Sequence, residues 1–218
     1  MNTSEAQRAM VALLAQRGIR DQRVLEAMLR VPRELFVPPQ VRAQAYEDRA
    51  LPIEGGQTIS QPYIVALMAE ALALEPNERV LEVGTGSGYA AAVLSLLASE
   101  VYTIERHREL AESAERRLQE LGYRNVHVFV GDGTDGLPAY APYDGIVVPA
   151  AAPWVPRPLR EQLAEGGRLV IPVGGQSEQV LLRVTRRGHQ TRSERLCEVR
   201  FVPLIGGHAW EADEKPDR

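Results

Sequence analysis

Cysteine occurs once in the 218 residues, at Cys197, so no disulfide can close within the chain. With no signal-peptide pattern at its start, the sequence is expected to act in the cytoplasm. Long apolar runs are missing too, which leaves nothing of the length a membrane span needs and no expected membrane partner. An excess of positive charge is absent: the net charge is −4, so the general electrostatic footprint of a nucleic-acid binder is not there. The four histidines, His107, His127, His189 and His208, lie far apart and match no metal-ligand spacing, so no metal is expected. Lysine appears only at Lys215, a bias in basic residues from which no function is read. What remains is ordinary globular composition, 44% hydrophobic and 25% charged, in a chain long enough for one large α/β domain with a small N-terminal cap.

The most informative stretch is Val80-Leu81-Glu82-Val83-Gly84-Thr85-Gly86-Ser87-Gly88-Tyr89. It opens as an apolar, β-branched run that reads as a buried strand. It breaks into glycines on alternate positions, then continues through Ala90 to Leu97 in strong helix formers. Strand, glycine turn and helix open a nucleotide-binding unit, where the turn needs angles a Cβ opposes and the ligand needs close approach to the main chain. Glu105 ends the next strand about twenty residues past Gly84, the offset of a carboxylate that accepts hydrogen bonds from a ribose diol. A tight turn without ligand is the plain alternative for the glycines alone. Turn, helix, second strand and terminal acid together favour a nucleoside-bearing cofactor. The spacing is G-x-G-x-G, neither the G-x-G-x-x-G of dinucleotide sites nor a P-loop with its lysine. Glu82 beside the loop repels a pyrophosphate and tolerates a cation. The pattern resembles motif I of the S-adenosylmethionine-dependent methyltransferases, whose cofactor carries a sulfonium and an amino group.

Apolar periodicity predicts a helix over 4–17 ended by Gly18, and a second helix capped by Asp21 with Val24, Leu25, Met28 and Leu29 as its buried stripe. The proline-rich stretch 31–38 and the stretch 45–53 read as irregular. A helix follows over 63–74, with Pro62 in its first turn and Ser60 or Gln61 as N-cap. Strands are expected at 80–83, 101–105, 125–130, 143–148 and 168–173, with helices over 108–121 and 159–163, the latter stopped at Gly166-Gly167. This alternation predicts a doubly wound, mainly parallel sheet. Two more strands are expected at 179–184 and 198–202, separated by a solvated, arginine-rich excursion over 186–195. The tail 211–218 reads as disordered. The division expected is 1–62 as N-terminal helices and covering loop, then 63–210 as the cofactor-binding α/β domain.

Two further stretches carry chemistry. Thr58, Ile59 and Ser60 precede a helix start, where exposed amides and hydroxyls can hold an anion. A simple N-cap at Ser60 and a loop hydroxyl at Thr58 explain them as well. Asp132-Gly133 ends the third strand, and ligands of open α/β sheets sit beyond such carboxyl ends. A carboxylate and a close N–H there suit an adenine, although a strand-ending turn also favours Asp and Gly.

In order along the chain stand Val31-Pro32-Arg33-Glu34-Leu35-Phe36-Val37-Pro38, Gly56-Gln57-Thr58-Ile59-Ser60-Gln61-Pro62, the glycine turn, Gly131-Asp132-Gly133, Pro142-Tyr143-Asp144-Gly145-Ile146 and Gly166 through Gly174. Together they resemble the protein-L-isoaspartate (D-aspartate) O-methyltransferase family over residues 5–210, with Thr58-Ile59-Ser60 as the most specific mark. The resemblance implies a class I, Rossmann-like methyltransferase fold. It implies methyl transfer from S-adenosylmethionine, with S-adenosylhomocysteine as product, to the α-carboxylate of L-isoaspartyl residues in damaged proteins, D-aspartyl residues being a second candidate acceptor. The ester then closes to a succinimide whose hydrolysis restores some aspartate. By the same resemblance Ser60 is the active-site residue, and Thr58, Ile59 and Ser60 meet substrate. Thr58, Ile59, Glu82, Gly84, Thr85, Gly86, Ser87, Gly88, Glu105, Asp132 and Gly133 would hold the cofactor. Ile205 departs from the family, whose segment often has threonine there, so no hydroxyl is supplied from that position.

The expected chemistry is economical. A carboxylate of pKa about 3.5–4 is ionised at neutral pH, so no general base is needed, and alignment with the methyl–sulfur bond can suffice. Ser60 Oγ would orient the acceptor oxygen without neutralising it. Two other readings stay open: a carboxyl methyltransferase for another peptide or small molecule, and a non-catalytic nucleoside-binding protein. A nucleic-acid methyltransferase is disfavoured by charge and by the lack of an N/D-P-P-[YF] motif. Isoaspartyl proteins are the expected partners, and a monomer is expected.

Overall fold

The computed structural model describes residues 4–175 and 177–211. The cap comes first. Helix α1 (Glu5–Gln16) starts where the Ser4 hydroxyl accepts from the Gln7 N–H at 3.1 Å, and α2 (Gln22–Arg30) starts where Asp21 accepts from Arg23 N–H. Each side chain satisfies a donor that the first helical turn leaves unpaired. Of the expected stripe Val24, Leu25 and Met28 are buried, against α1 and the main domain, while Leu29 is only half-buried and Ala27 is buried with the others. Two 3₁₀ turns follow, over Arg33–Phe36 and Pro39–Gln44, where prolines exclude a longer helix. The short strands β1 (Leu51–Pro52) and β2 (Thr58–Ile59) pair antiparallel, and α3 (Pro62–Leu72) departs directly from them.

The main domain runs β3 (Arg79–Val83), α4 (Tyr89–Leu94), β4 (Glu100–Glu105), α5 (Arg108–Glu120), β5 (Val126–Val130), β6 (Tyr143–Val147), α6 (Arg157–Glu161), β7 (Leu163–Gly174), β8 (Gln179–Arg187) and β9 (Gln190–Val199). Its seven strands stand in the order β5-β4-β3-β6-β7-β8-β9. The first five are parallel, and β8 and β9 are antiparallel additions. Leu81, Ile146 and Leu169 sit in neighbouring central strands with no exposed surface, each worth about 1.5–3 kcal/mol of burial. Because β3 lies between β4 and β6, the chain changes direction across the sheet at its carboxyl end, and a crevice opens there. The doubly wound, class I methyltransferase-like architecture expected from the sequence is what the chain adopts.

Two boundaries differ. Helix α6 ends at Glu161, and β7 begins at Leu163, so Gly166-Gly167 lie inside the strand instead of stopping a helix. The register between β6 and β7 shifts between Tyr143 and Gly145, a bulge. There a Cβ on Gly167 would sit 2.9 Å from the carbonyl oxygens of both Ala164 and Tyr143. Gly167 thus lets two backbones approach. The arginine-rich stretch is exposed and hairpin-like as expected, yet it is paired over its whole length as β8 and β9, which shifts the final strand from 198–202 to Gln190–Val199. Cross-strand pairs such as Arg183 with Glu194, 2.6 Å apart, hold its exposed part, while Leu196, Cys197 and Val199 at the end of β9 pack on the core. Among the described residues no helix is long and apolar enough to cross a membrane. The tail expected to be disordered lies, beyond Glu211, outside the described residues.

Candidate active site

The crevice is bounded by three walls. The first is the glycine turn after β3. Gly84, Gly86 and Gly88 take φ of +103°, +53° and +87°, the left-handed angles for which glycine was expected. Gly86 N–H donates to Glu105 Oε2 at 3.0 Å, and His107 N–H donates to Glu105 Oε1 at 3.0 Å. The Glu105 carboxylate is thereby fixed at the end of β4, 6% exposed, on the lining of the cleft. Gly84, Thr85, Gly86 and Ser87 line the cleft as well. Gly88 does not: a Cβ there would come 3.2 Å from Leu118, so this glycine serves the packing of α4 on α5.

Beneath the turn lies a buried polar chain. Thr103 Oγ1 donates to Glu82 Oε2 at 2.6 Å and lies 2.7 Å from Thr85 Oγ1. Glu82 is 1% exposed and lines the cleft, yet its Oε1 has no hydrogen-bond partner among the described residues. Burial pushes its carboxyl up to about 8, against the Thr103 hydrogen bond and with help from the nearby Glu105 charge. An anionic oxygen left unpaired in such a place is costly unless a cation or donor completes it.

The second wall is the strip Thr58-Ile59-Ser60, all of which lines the cleft. The N-cap of α3 is Gln61, with Pro62 at the first helical position, and no side chain of the strip caps it. That role falls to Asp48, whose Oδ1 accepts from Tyr63 N–H at 2.9 Å. Asp48 also accepts from Gln61 Nε2 at 3.0 Å and pairs with Arg17. The simple N-cap reading of Ser60 therefore fails, and its Oγ makes no hydrogen bond among the described residues.

The third wall comes from the far end of the chain. Val202, Pro203, Leu204 and Ile205 line the cleft together with Gly133, Pro149 and Ala150, and Val202 and Leu204 are bonded to the backbone of Ala151. Gly133 is glycine for a steric reason, since a Cβ would come 2.4 Å from Val83 Cγ1. Asp132 does not line the cleft. Its Oδ1 accepts from Thr134 N–H at 2.8 Å and Thr134 Oγ1 at 2.7 Å, and its Oδ2 accepts from Gly207 N–H at 2.7 Å. Burial opposes ionisation of Asp132, but the Gly207 and Thr134 donors outweigh it and hold the carboxyl below its ordinary range. The residue thus ties the C-terminal strap down beside Gly133.

Residues 4–209 match the family described as protein-L-isoaspartate(D-aspartate) O-methyltransferase. The chain belongs to this family. It is 63% identical over its whole length, and over the whole length of the relative, to the protein-L-isoaspartate O-methyltransferase of Roseiflexus sp. (strain RS-1). It is 54% identical over 204 residues, 94% of this chain and 93% of the other, to the enzyme of that name from Dictyoglomus thermophilum. A solved protein-L-isoaspartate O-methyltransferase superposes with a TM-score of 0.83 at 33% identity, over 93% of this chain and 67% of that one. A putative family member from Plasmodium falciparum, in complex with S-adenosyl-L-homocysteine, gives 0.81 at 27%, over 93% of this chain and 99% of that one.

Family members use S-adenosylmethionine, and the residues present fit it. The unpartnered Glu82 oxygen and the Glu105 carboxylate offer negative charge to a cation and to hydroxyls, and Met68, Ala69, Val83 and Leu204 supply apolar surface for a ring and a thioether. Arg106 and His107, both exposed, line the cleft as well; they, the third wall and the Asp48 cap were not legible in the sequence as site features. The strap's segment 201–205 carried the family pattern without showing where it would fold.

Proposed function

We propose that this cleft carries out the family reaction with Ser60 as the group that orients the acceptor. The protein is a protein-L-isoaspartate O-methyltransferase, which esterifies isoaspartyl residues and so starts their repair. The cofactor supplies an activated methyl group on a sulfonium. The work left to the chain is binding, alignment and exclusion of water. Glu105 is held ready by two N–H donors to receive the ribose diol. Glu82 meets the cationic end of the cofactor through its unpaired oxygen. Gly84 to Ser87 would let the main chain come close, and Gly133, on the cleft lining, would border the adenine. Thr58 and Ile59 would border both ligands, and Ser60 Oγ would donate to one oxygen of the acceptor carboxylate and so orient it. Because the acceptor is already ionised at neutral pH, the site has no proton to remove.

The observation that carries this reading is the uncommitted Ser60 hydroxyl on the cleft, its capping duty taken over by Asp48 and Gln61. We further propose that residues 1–62 act as the cover and 63–210 as the cofactor domain, and that the protein works in the cytoplasm as a monomer. Lone Cys197 supports the compartment, and the net charge of −4 supports the absence of a nucleic-acid partner.

The test pairs one peptide in isoaspartyl and aspartyl form as methyl acceptors. Wild-type protein should esterify only the isoaspartyl form, giving a base-labile product. Ser60→Ala should lower turnover by about tenfold or more, with binding of S-adenosylhomocysteine nearly intact by calorimetry. Equal esterification of both peptides would reject the substrate assignment, and unchanged turnover in the variant would reject the role of Ser60.

A further inference from the structure

Arg33 is an arginine with no exposed surface, set at the start of a 3₁₀ turn in the cap. Among the described residues no carboxylate pairs with it. Its Nε donates to the Ala45 carbonyl at 2.8 Å, and its Nη2 donates to the Ser60 carbonyl at 2.9 Å. Neither carbonyl has a backbone partner among the described residues. The guanidinium carbon lies 4.8 Å from the ring centroid of Tyr89, the first residue of α4, directly after the glycine turn. Tyr89 is itself 1% exposed and lines the cleft. One planar group therefore touches the cap, the Ser60 strip and the helix that carries the cofactor turn.

Burying this charge is expensive. Removing a guanidinium from water without an ionic partner costs several kcal/mol, and an apolar side chain of similar volume would fill the space more cheaply. What an apolar residue cannot do is donate in a fixed fork to two carbonyls from separate segments while stacking on an aromatic face. Lysine cannot either, since its ammonium is a single point on a flexible stem. Among the described residues the Ser60 hydroxyl makes no hydrogen bond, and its neighbour Gln61 is held by Asp48 at its side chain. Among the described residues the Arg33 bond is the side-chain contact to the Ser60 carbonyl.

We infer that Arg33 is a positioning residue for methyl transfer, locking the Ser60 peptide to the helix of the glycine turn so that acceptor hydroxyl and cofactor site keep one fixed relation. This rests on the orienting role proposed for Ser60. Arg33 itself does not line the cleft; it acts through Ser60 and Tyr89, which do.

The test is a double-mutant cycle with Arg33→Met and Ser60→Ala, reading kcat on an isoaspartyl peptide and the Kd of S-adenosylhomocysteine. Ser60→Ala keeps the carbonyl that Arg33 holds, so the cycle isolates the hydroxyl. Arg33→Met should lower kcat by about tenfold or more and shift the Kd by less than about threefold. The double variant should be no more than about twofold slower than Ser60→Ala alone, since two residues acting as a unit do not add. Losses that multiply would reduce Arg33 to a structural role and overturn the inference, as would an unchanged kcat in Arg33→Met. Turnover unchanged in Ser60→Ala alone would remove the Ser60 role and this inference with it. If Arg33→Met fails to fold, Arg33→Lys decides the matter: its kcat must fall with the same lack of additivity, and a wild-type rate overturns the proposal.

Discussion

The two sides of the cleft are built by different means. The donor side is local: β3, the glycine turn and the end of β4 place Glu82, Gly84, Gly86 and Glu105 through neighbouring strands and left-handed backbone angles. The acceptor side is remote. Ser60 is held by Arg33 from 27 residues away, and the helix after it is capped by Asp48 from 15 residues away. Sheet geometry tolerates little variation, so the donor side is rigid by construction. The acceptor side depends on a few long side chains reaching backbone groups, and it can be loosened one contact at a time.

Three substitutions sharpen this contrast. The largest effect belongs to Gly133→Ala, whose new Cβ would stand 2.4 Å from Val83 Cγ1 inside the donor side. Overpacking there should cost about 1–3 kcal/mol, read as a fall in Tm, and should weaken S-adenosylhomocysteine binding by more than about tenfold as the Gly133 turn is pushed off the end of β3. Retained affinity would show the donor side to be pliable after all.

Glu82→Gln comes next. The folded Glu82 carboxyl stands at about 8 against an ordinary 4.5, so between those values the cofactor-free fold binds a proton that the unfolded chain releases. Its contribution to stability is therefore present at acid pH and falls as pH rises through that window, by at most about 1.4 kcal/mol per pH unit. The glutamine variant should flatten that decline in thermal melts from pH 5 to 8 and should bind the cofactor more weakly. A slope unchanged by the substitution would place the titration elsewhere.

Asp48→Ala should have the smallest effect on the fold, about 1 kcal/mol in denaturant for a lost helix cap. Its effect should fall on kcat, with cofactor affinity nearly unchanged, because the loosened helix start carries Ser60. An equal loss in cofactor binding would mean that the two sides are not separable.

The same contrast explains what could be read before the structure was known. Alternate glycines after a β-branched run name their own geometry, and all three take positive φ. Glu105 was legible because one turn, one helix and one strand fix its distance from Gly84. Yet Gly88 packs on Leu118, and Asp132 binds the strap instead of facing the cleft. Spacing shows that a residue lies near a site without showing which way its side chain is spent. Arg33 and Asp48 sit in stretches with no periodicity, and their partners are distant in sequence, so no local pattern marks them. The strand β9 was hidden for another reason. Its first six residues, Gln190 to Arg195, are exposed, so the apolar alternation that betrays a half-buried strand is missing there.

That exposed strand also bears on the company the enzyme keeps. Aged and damaged chains unfold, and unfolded chains seek open sheet borders to pair with. Arg192, Glu194 and Arg195 stud the outermost border of this sheet with mixed charge. A caretaker that must handle failing proteins is thereby spared from becoming the template on which they aggregate.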